Sequence, residues 1–554
     1  MERKASSRHA LRSTLPAPRK TMTTYDALFI GAGHNALVAA GYLAKAGYRV
    51  CVLERRHKVG GAVVTEEIVP GFQFDLGGSA HILIHHTPIV ADLNLAAYGL
   101  EYLDLDPLFF APFPDGSHLF IWKDLDKTLD SITAVSPQDA ANYRAFVAEW
   151  GPVAEGMVEA FNHAPSPLNM ARYLAWPAYR RDGRFLDRVT QALRGYGQVL
   201  RHTFVDERLR ALIGWMAAQS GPPPTEPMSG PFALWHPMYH VSGMKRPRGG
   251  SGMLTQALAR MIESHGGTIH TNTPVRRILV ENGRAVGVET AAGERLTARI
   301  VASGAHVHTT MRLLGDAAPA RARRLVAQSR VGNGFGMIAR CAVDALPSYT
   351  ALPSAADGTP GPQHVAMQFI CPDLAYLERA YGDYLRGEPS REPALISMTW
   401  SAADPTLAPP SKHVMFVWGQ YYPYELASGA SWDDVGDRIA DDMLATLARY
   451  APNAADVVID RLVETPLYLE RELGLLRGNV MHLEMSIDQM FAFRPALTMS
   501  NYRGPVKDLY LTGASTHPGG GIMGAAGRNA AAAMLHDLSR QKLWQKATSF
   551  AKRA

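Results

Sequence analysis

The stretch Tyr25–Gly61, YDALFIGAGHNALVAAGYLAKAGYRVCVLERRHKVGG, constrains the fold more than any other part of the chain. Ala27–Ile30 is a short apolar run that ends in Gly31-Ala32-Gly33, the pattern of a buried strand entering a tight turn. From Ala36 the small and apolar residues Leu37, Ala40, Leu43 and Ala44 recur at helical spacing, and Gly47 closes the helix. A second apolar run, Arg49–Leu53, ends in Glu54, 23 positions after Gly31. This is a βαβ unit with an acid at the tip of its second strand. Gly31 makes the turn, Gly33 admits a pyrophosphate close to the backbone, and the third site, Ala36, is small enough for tight helix–strand packing. A dinucleotide would rest its pyrophosphate on the helix start at His34 and Asn35, and Glu54 would accept from a ribose hydroxyl.

Composition narrows the remaining choices. A chain of 554 residues with 47% hydrophobic and 19% charged content has room for more than one domain and a large core. Cys51, Cys341 and Cys371 are far apart and match no CxxC pattern, which argues for a reducing compartment and against a disulfide or zinc framework. No run of apolar residues is long enough to span a bilayer. The first 20 residues carry +5 and residues 540–554 carry another +5, against a total of +5, so the body between them carries −5. An acidic body speaks against nucleic acid, and basic ends suit an anionic surface or water.

Residues 1–21 lack periodicity and an apolar signal core, and read as a disordered basic extension, with an organelle transit peptide as the alternative because acids are scarce. Ala62–Ile84 alternates around Gly71, Gly77 and Gly78, giving strands that return toward the glycine turn. His81, His85 and His86 form an H-x3-H-H box; without companion boxes it is not read as a metal site. Leu108–Trp122 reads as a hairpin turning at Pro114-Asp115-Gly116, and helices are expected over Ala140–Phe161, Phe185–Thr203 and Glu207–Met216. Phe232, Leu234, Trp235, Met238 and Tyr239 suit a core or the lining of an apolar ligand site. A helix follows Gly249–Gly252, and Glu281-Asn282-Gly283 marks a type I′ hairpin after Val275. Phe335–Val343, Val365–Phe369, Ala394–Thr399 and Val414–Gln420 are candidate strands of an antiparallel sheet, followed by a helix over Trp432–Tyr450. Met481, Met485, Met490, Phe491 and Phe493 are soft, adaptable side chains near Arg494.

The last motif, LYLTGASTHPGGGIMGAAGRNA (Leu509–Ala530), ends a strand at Gly513, bends through Pro518–Gly521 and starts a helix near Ile522 and Met523. Such a helix start stabilises negative charge. With the N-terminal turn and the flanking Arg56, Lys58, Gly60 and Gly61, it resembles the flavoprotein superfamily of amine oxidases and phytoene desaturases. Ala62, where amine oxidases carry Arg, is similar to the desaturase branch. GGSAHILIHHTPIV (Gly77–Val90), WMAAQSGPPP (Trp215–Pro224) and RGNVMHLEMSIDQMF (Arg477–Phe491) resemble the carotenoid ketolases of the phytoene-desaturase type.

That resemblance covers nearly all of residues 22–540 and sets the expectations. The fold is α/β, with a Rossmann-like FAD-binding domain (22–87, 245–310, 495–540), a discontinuous substrate domain of antiparallel sheet plus helices (88–244, 311–494), and a basic tail (541–554). FAD is held by Gly31, Gly33, His34, Asn35, Ala36, Glu54, Arg55, Arg56, Gly60, Gly61, Val275, Gly513, Pro518, Gly520, Gly521, Ile522 and Met523, with Val275 holding the adenine edge. The implied activity is ketolation of the ring methylene of β-carotene to echinenone and canthaxanthin. A desaturase or isomerase of an acyclic carotene, and a flavin-free isoprenoid carrier of the GDP-dissociation-inhibitor type, are the alternatives. His517 and His81 are the candidate acid–base groups, and no metal is called for. The electron acceptor is a quinone or dioxygen, and the enzyme is cytoplasmic, touching a membrane peripherally through Lys542, Lys546, Lys552, Arg553 and the neighbouring Leu543, Trp544 and Phe550.

Overall fold

The computed structural model describes residues 24–179 and 182–551, with side chains from Tyr25 to Gln541. The N-terminal extension, residues 1–21, lies outside the described residues.

Two seven-stranded sheets organise the chain. In the first, strand Thr24–Ile30 lies between Val50–Leu53 and Arg295–Ser303, parallel to both. Thr268–His270 extends the sheet beyond Val50–Leu53, and Leu509–Leu511 pairs with the end of Arg295–Ser303, again in parallel. Ala27, Leu28, Phe29, Cys51 and Val52 are fully buried, as central strands covered on both faces must be. An antiparallel hairpin, Val275–Glu281 with Arg284–Thr290, forms the edge. Its turn residues Asn282 and Gly283 take φ of 50° and 74°, the two positive values that a type I′ turn needs.

Helix His34–Lys45 packs against Met253–Ser264 and against the long helix Ala525–Ala551. The closest approach is at Gly527, where a Cβ would lie 2.0 Å from the Asn35 carbonyl oxygen. Only glycine permits that crossing, and it sets the starts of two helices, at His34 and Ala525, side by side. The second helix starts at Ala525 rather than near Ile522, because Gly521 and Gly524 adopt φ of 98° and 78°, outside any right-handed helix. It continues to Ala551, through most of the segment read as a tail; the side chains of 542–551 lie outside the described residues.

The second sheet runs in the order Val458–Glu464, Gly334–Val343, His413–Pro423, Leu395–Met398, Met367–Ile370, Phe109–Pro112, His118–Ile121. All neighbours are antiparallel except Met367–Ile370 against Phe109–Pro112, which is parallel and departs from the expected pattern. The whole helical region separates those two strands, so no hairpin dictates their direction. Within that region helix Pro137–Phe161 is capped by the Ser136 hydroxyl, which accepts from the Asp139 backbone N–H. The helix expected over Phe185–Thr203 is two, Phe185–Leu193 and Tyr196–Thr203. They part at Gly195, where a Cβ would meet the Pro224 carbonyl oxygen at 2.7 Å.

A buried ion pair fastens the layers together. Arg340 of the second sheet places Nη2 2.8 Å from Glu464 Oε2 and 2.8 Å from the Gly77 carbonyl oxygen, and Nη1 3.0 Å from Ser79 Oγ. Burial raises the Glu464 carboxyl above its usual value, and Arg340 opposes that rise.

Candidate active site

One cavity of about 1180 Å³ lies between the sheets. It meets the first sheet where its parallel strands end: Gly31 follows Ile30, Glu54 follows Leu53, Gly304 follows Ser303, and Gly513 lies just beyond Leu511. The carboxyl ends of parallel strands are where open α/β sheets bind ligands.

At this end the glycine turn is set by backbone geometry. Gly31 has φ of 86°, and its N–H donates to the Leu53 carbonyl at 2.8 Å. Gly33 has an ordinary φ of −66°, and a Cβ built on it has no atom within 4 Å, so its missing side chain leaves space in the cavity rather than relieving strain. Glu54 ties the turn: Oε2 accepts from the Ala32 N–H at 2.7 Å and Oε1 from the Arg56 N–H at 2.9 Å. Arg55 reaches across to the Arg471 and Glu472 carbonyls, at 3.1 and 2.9 Å, and closes the rim there. Gly31, Gly33, His34, Asn35, Ala36, Glu54, Arg55, Arg56, Gly61 and Val275 all line this end. Gly60 does not; its N–H donates to the Ala32 carbonyl at 2.9 Å, so it supports the turn from behind.

The C-terminal motif forms the adjoining wall through Gly513, Pro518, Gly520, Gly521, Ile522 and Met523. A Cβ on Gly520 would meet Met481 Sδ at 2.6 Å, so this turn packs directly on the methionine segment. Two imidazoles that sequence reasoning did not single out also line the cavity. His306 Nε2 lies 2.9 Å from the His482 carbonyl oxygen with the rings stacked, and His482 Nδ1 lies 3.1 Å from Ser515 Oγ. Burial lowers the His306 pKa to about 4 and drives His482 well below its usual value, so both are neutral at neutral pH. His34 is likewise lowered to about 4 by burial. Behind them Arg494 is fully buried, and its guanidinium donates to the carbonyls of Met481, Leu483, Glu484, Gln489 and Ala514. Burial pulls its pKa down to about 9, which still leaves it a cation at neutral pH.

Away from the first sheet the cavity widens into an apolar chamber. Trp150, Val153, Met157 and Phe161 line it from helix Pro137–Phe161, Met216, Phe232, Trp235 and Met238 from the helices beyond, and Met367, Ile396 and Met398 from the second sheet. The aromatic run near Trp235 and the methionines 481, 485 and 490 therefore face the cavity. Phe493 does not line it and is 49% exposed. Arg188 and Arg340 are the cations of the chamber wall, and each is ion-paired, Arg188 to Glu149 and Asp182, Arg340 to Glu464.

Neither histidine read as an acid–base candidate lines the cavity. His81 is buried with Nδ1 2.9 Å from the Tyr102 hydroxyl and Nε2 2.7 Å from Ser251 Oγ, so both ring nitrogens are occupied. His517 directs Nε2 to the Ala160 carbonyl at 3.0 Å and packs against Phe161 and Phe491. Both are structural. The rest of the histidine box is also engaged, His85 edge-on to Tyr102 and His86 through Nε2 to Ser242 Oγ at 2.7 Å.

The glycine-lined end fits FAD. Gly33 leaves open space where a side chain would stand, two helix starts lie side by side, and His34 Nε2 and Arg56 Nη1 are buried polar atoms without a partner among the described residues. The family model of flavin containing amine oxidoreductases matches residues 37–535. The pyridine nucleotide-disulfide oxidoreductase domain-containing protein 2 of Rattus norvegicus is 35% identical, across 93% of this chain and 94% of its own. A limonene dehydrogenase polypeptide of Castellaniella defragrans is 28% identical, across 94% and 96%. The neurosporene-forming phytoene desaturase of Cereibacter sphaeroides is 27% identical, across 90% and 92%. A redesigned putrescine oxidase shares the fold, with a TM-score of 0.61 at 15% identity over 93% of this chain and 99% of its own. The chain thus belongs to the flavin-containing amine oxidoreductase family, and it is an oxidoreductase that uses FAD.

Proposed function

We propose that the protein oxidises an allylic carbon of a carotenoid, and that the full reaction is ketolation of the β-carotene ring methylene. One observation carries the reading: the FAD end opens straight into a chamber walled by aromatic, methionine and aliphatic side chains, whose cations are both ion-paired. A charged amine would find no free carboxylate there among the described residues, whereas a hydrocarbon needs none. Two relatives are named for isoprenoid hydrocarbons, limonene and phytoene, and agree with this substrate class.

FAD, when bound, supplies the two-electron oxidant. Gly31–Ala36 and Glu54 would hold its pyrophosphate and ribose, Val275 its adenine edge, and Gly513–Met523 its ring system. The chamber residues orient one end of the substrate against that wall and exclude bulk water. Met157, Met216 and Met238 adapt to the bulk of the ring through their flexible thioethers. His306 and His482 are held neutral at the wall, so they add no positive charge that would repel an electron-deficient carbon. Oxidation at an allylic carbon leaves positive charge spread along the polyene, so the substrate itself lowers the barrier and no strong base is needed. Two successive two-electron oxidations at one carbon, with water supplying the oxygen, convert the methylene to a ketone, and the electrons pass to a quinone or dioxygen.

Product mass tests the reading. The purified holoprotein supplied with β-carotene in detergent should give a pigment that has gained one oxygen and lost two hydrogens. Loss of hydrogens alone from phytoene, with β-carotene untouched, would replace ketolation by desaturation; no change in either would overturn the carotenoid reading.

A further inference from the structure

His482 stands in a backbone conformation that few residues adopt. Its φ of 67° lies in the left-handed region, and such residues persist only where their surroundings hold them. Here three consecutive carbonyls are held. The His482 carbonyl accepts from His306 Nε2 at 2.9 Å, and the Met481 and Leu483 carbonyls on either side both accept from Arg494 Nη2. The imidazole is stacked on that of His306, with ring centres 5.1 Å apart and planes 24° from parallel. Strain, stacking and anchoring converge on one ring.

The hydrogen bonds also fix where its proton sits. Ser515 is buried, and its Oγ accepts from the Val307 N–H at 3.0 Å. The hydroxyl proton then has one acceptor among the described residues, His482 Nδ1 at 3.1 Å. A nitrogen that accepts carries no proton, so the neutral ring holds its proton on Nε2. His306 is set the same way: its Nδ1 accepts from the His308 N–H at 3.2 Å, which leaves Nε2–H to donate to the His482 carbonyl. Of these four ring nitrogens only His482 Nε2 has no partner among the described residues, and it belongs to a half-buried ring that lines the cavity.

Its neighbours place this ring at the cofactor wall rather than in the apolar chamber. A Cβ on Gly520 would lie 2.7 Å from Met481 Cα and 2.9 Å from the Val480 carbonyl oxygen, so the chain entering His482 rests on the turn Pro518–Gly521. Burial first, then His306, Arg494 and His34 facing the ring, keep its pKa well below the usual value, so the free N–H is offered without charge.

We infer that His482 Nε2–H donates a hydrogen bond to the ring system of bound FAD and favours its two-electron-reduced form, with Ser515 and His306 as the positioning residues that fix the tautomer and the ring. Reduction adds electron density to the acceptor atoms of that ring system, so a donor aimed there binds the reduced state better than the oxidised one. The inference rests on the reading that Gly513–Met523 holds the ring system; it does not depend on which substrate is oxidised.

The test is a redox titration of the bound flavin in full-length holoprotein, followed by visible absorbance. Asparagine tolerates the left-handed backbone and can meet Ser515 in place of Nδ1, but it ends short of Nε2. His482→Asn should therefore keep its fold and its FAD, and lower the midpoint potential by at least about 30 mV, a tenfold change in the two-electron equilibrium. His482→Gln carries an amide N–H out to the reach of Nε2 and should recover most of that shift. Ser515→Ala leaves the ring in place but releases its tautomer, and should shift the potential in the same direction; this variant decides the matter if His482→Asn loses its FAD. Between about pH 6 and pH 9 the gap between parent and variant should stay constant, because the ring is neutral throughout. An unchanged potential would overturn the inference, and weaker FAD binding alongside it would move the donor to the ribityl or phosphate chain. A gap that widens toward the acid end would overturn the uncharged donor, since the ring would then take up a proton with the electrons. If β-carotene is left unoxidised while the potential falls as stated, the proposed substrate fails and this assignment stands.

Discussion

Replacing Gly33 by Ala separates the needs of the fold from the needs of the cofactor. Gly33 sits at φ −66° and ψ 156°, which alanine adopts without strain, and nothing lies within 4 Å of the new methyl. The cofactor-free protein should therefore be unchanged or gain about 0.4–1 kcal/mol, because alanine restricts the unfolded chain. The methyl enters the cavity where the pyrophosphate must approach, and crowding of that kind costs about 1–3 kcal/mol. That range weakens FAD binding about five- to 150-fold. At an FAD concentration about 100 times the parent's Kd, bound cofactor adds about 2.7 kcal/mol to the parent, and a hundredfold weaker site leaves about 0.4 kcal/mol. Thermal melts with and without FAD read both numbers, and visible flavin absorbance reads occupancy. The gap between the two melts should collapse while the cofactor-free melt holds or rises. Gly304→Ala is the contrast: its Cβ would lie 2.7 Å from the Ala36 Cβ, so the cofactor-free melt itself should fall. A Gly33→Ala protein that retains full FAD and the full gap would refute this placement of the pyrophosphate.

Three further outcomes are expected. Glu464→Leu leaves the Arg340 guanidinium buried without its carboxylate and should cost about 3–5 kcal/mol in urea titration, whereas Arg340→Leu/Glu464→Leu should cost less than that single change; the reverse order would count against the pair as a layer fastener. His306 and His517 are lowered from 6.5 to about 4, so between those values the unfolded chain binds protons that the folded chain refuses, and stability falls as pH drops through the window. Each contributes about 2 kcal/mol of loss at pH 5, and His517→Gln should flatten the measured slope by up to one proton; an unaltered slope would contradict a neutral His517. Glu54→Gln has one acceptor for the two backbone N–H groups of Ala32 and Arg56, and should bind FAD about five- to 150-fold more weakly by fluorescence titration, since a buried donor left unpaired costs about 1–3 kcal/mol.

The parts of this protein that were legible in its sequence are those whose cause is local. Gly31, Asn282 and Gly283 advertise their backbone conformations by residue type, and Glu54 ends a short apolar run at the carboxyl end of its strand, where it ties the glycine turn. Met238 and Trp235 were ambiguous because a side chain packed in a core and one lining an apolar chamber share the same helical spacing. His306 and His482 were missed because they lie far apart in sequence, and long-range packing alone stacks their rings. His81 and His517 were conspicuous in their motifs for the opposite reason: each is buried in packing, His81 held at both ring nitrogens by Tyr102 and Ser251, His517 at Nε2 by the Ala160 carbonyl. The break at Gly195 depends on the Pro224 carbonyl, which no local window contains.

Arg494 makes the two sides of the chamber mechanically unequal. Its guanidinium stitches five backbone carbonyls, four in the methionine segment and one at Ala514 beside the cofactor turn, so these two strips of wall must shift as one stiff jaw. The opposite jaw, at Phe185–Leu193, is held through Arg188, which pairs with Glu149 and Asp182 and reaches one backbone carbonyl, that of Ala178. A bulky ligand in the chamber thus lies between a wall cross-tied through backbone carbonyls and one tied chiefly through side chains.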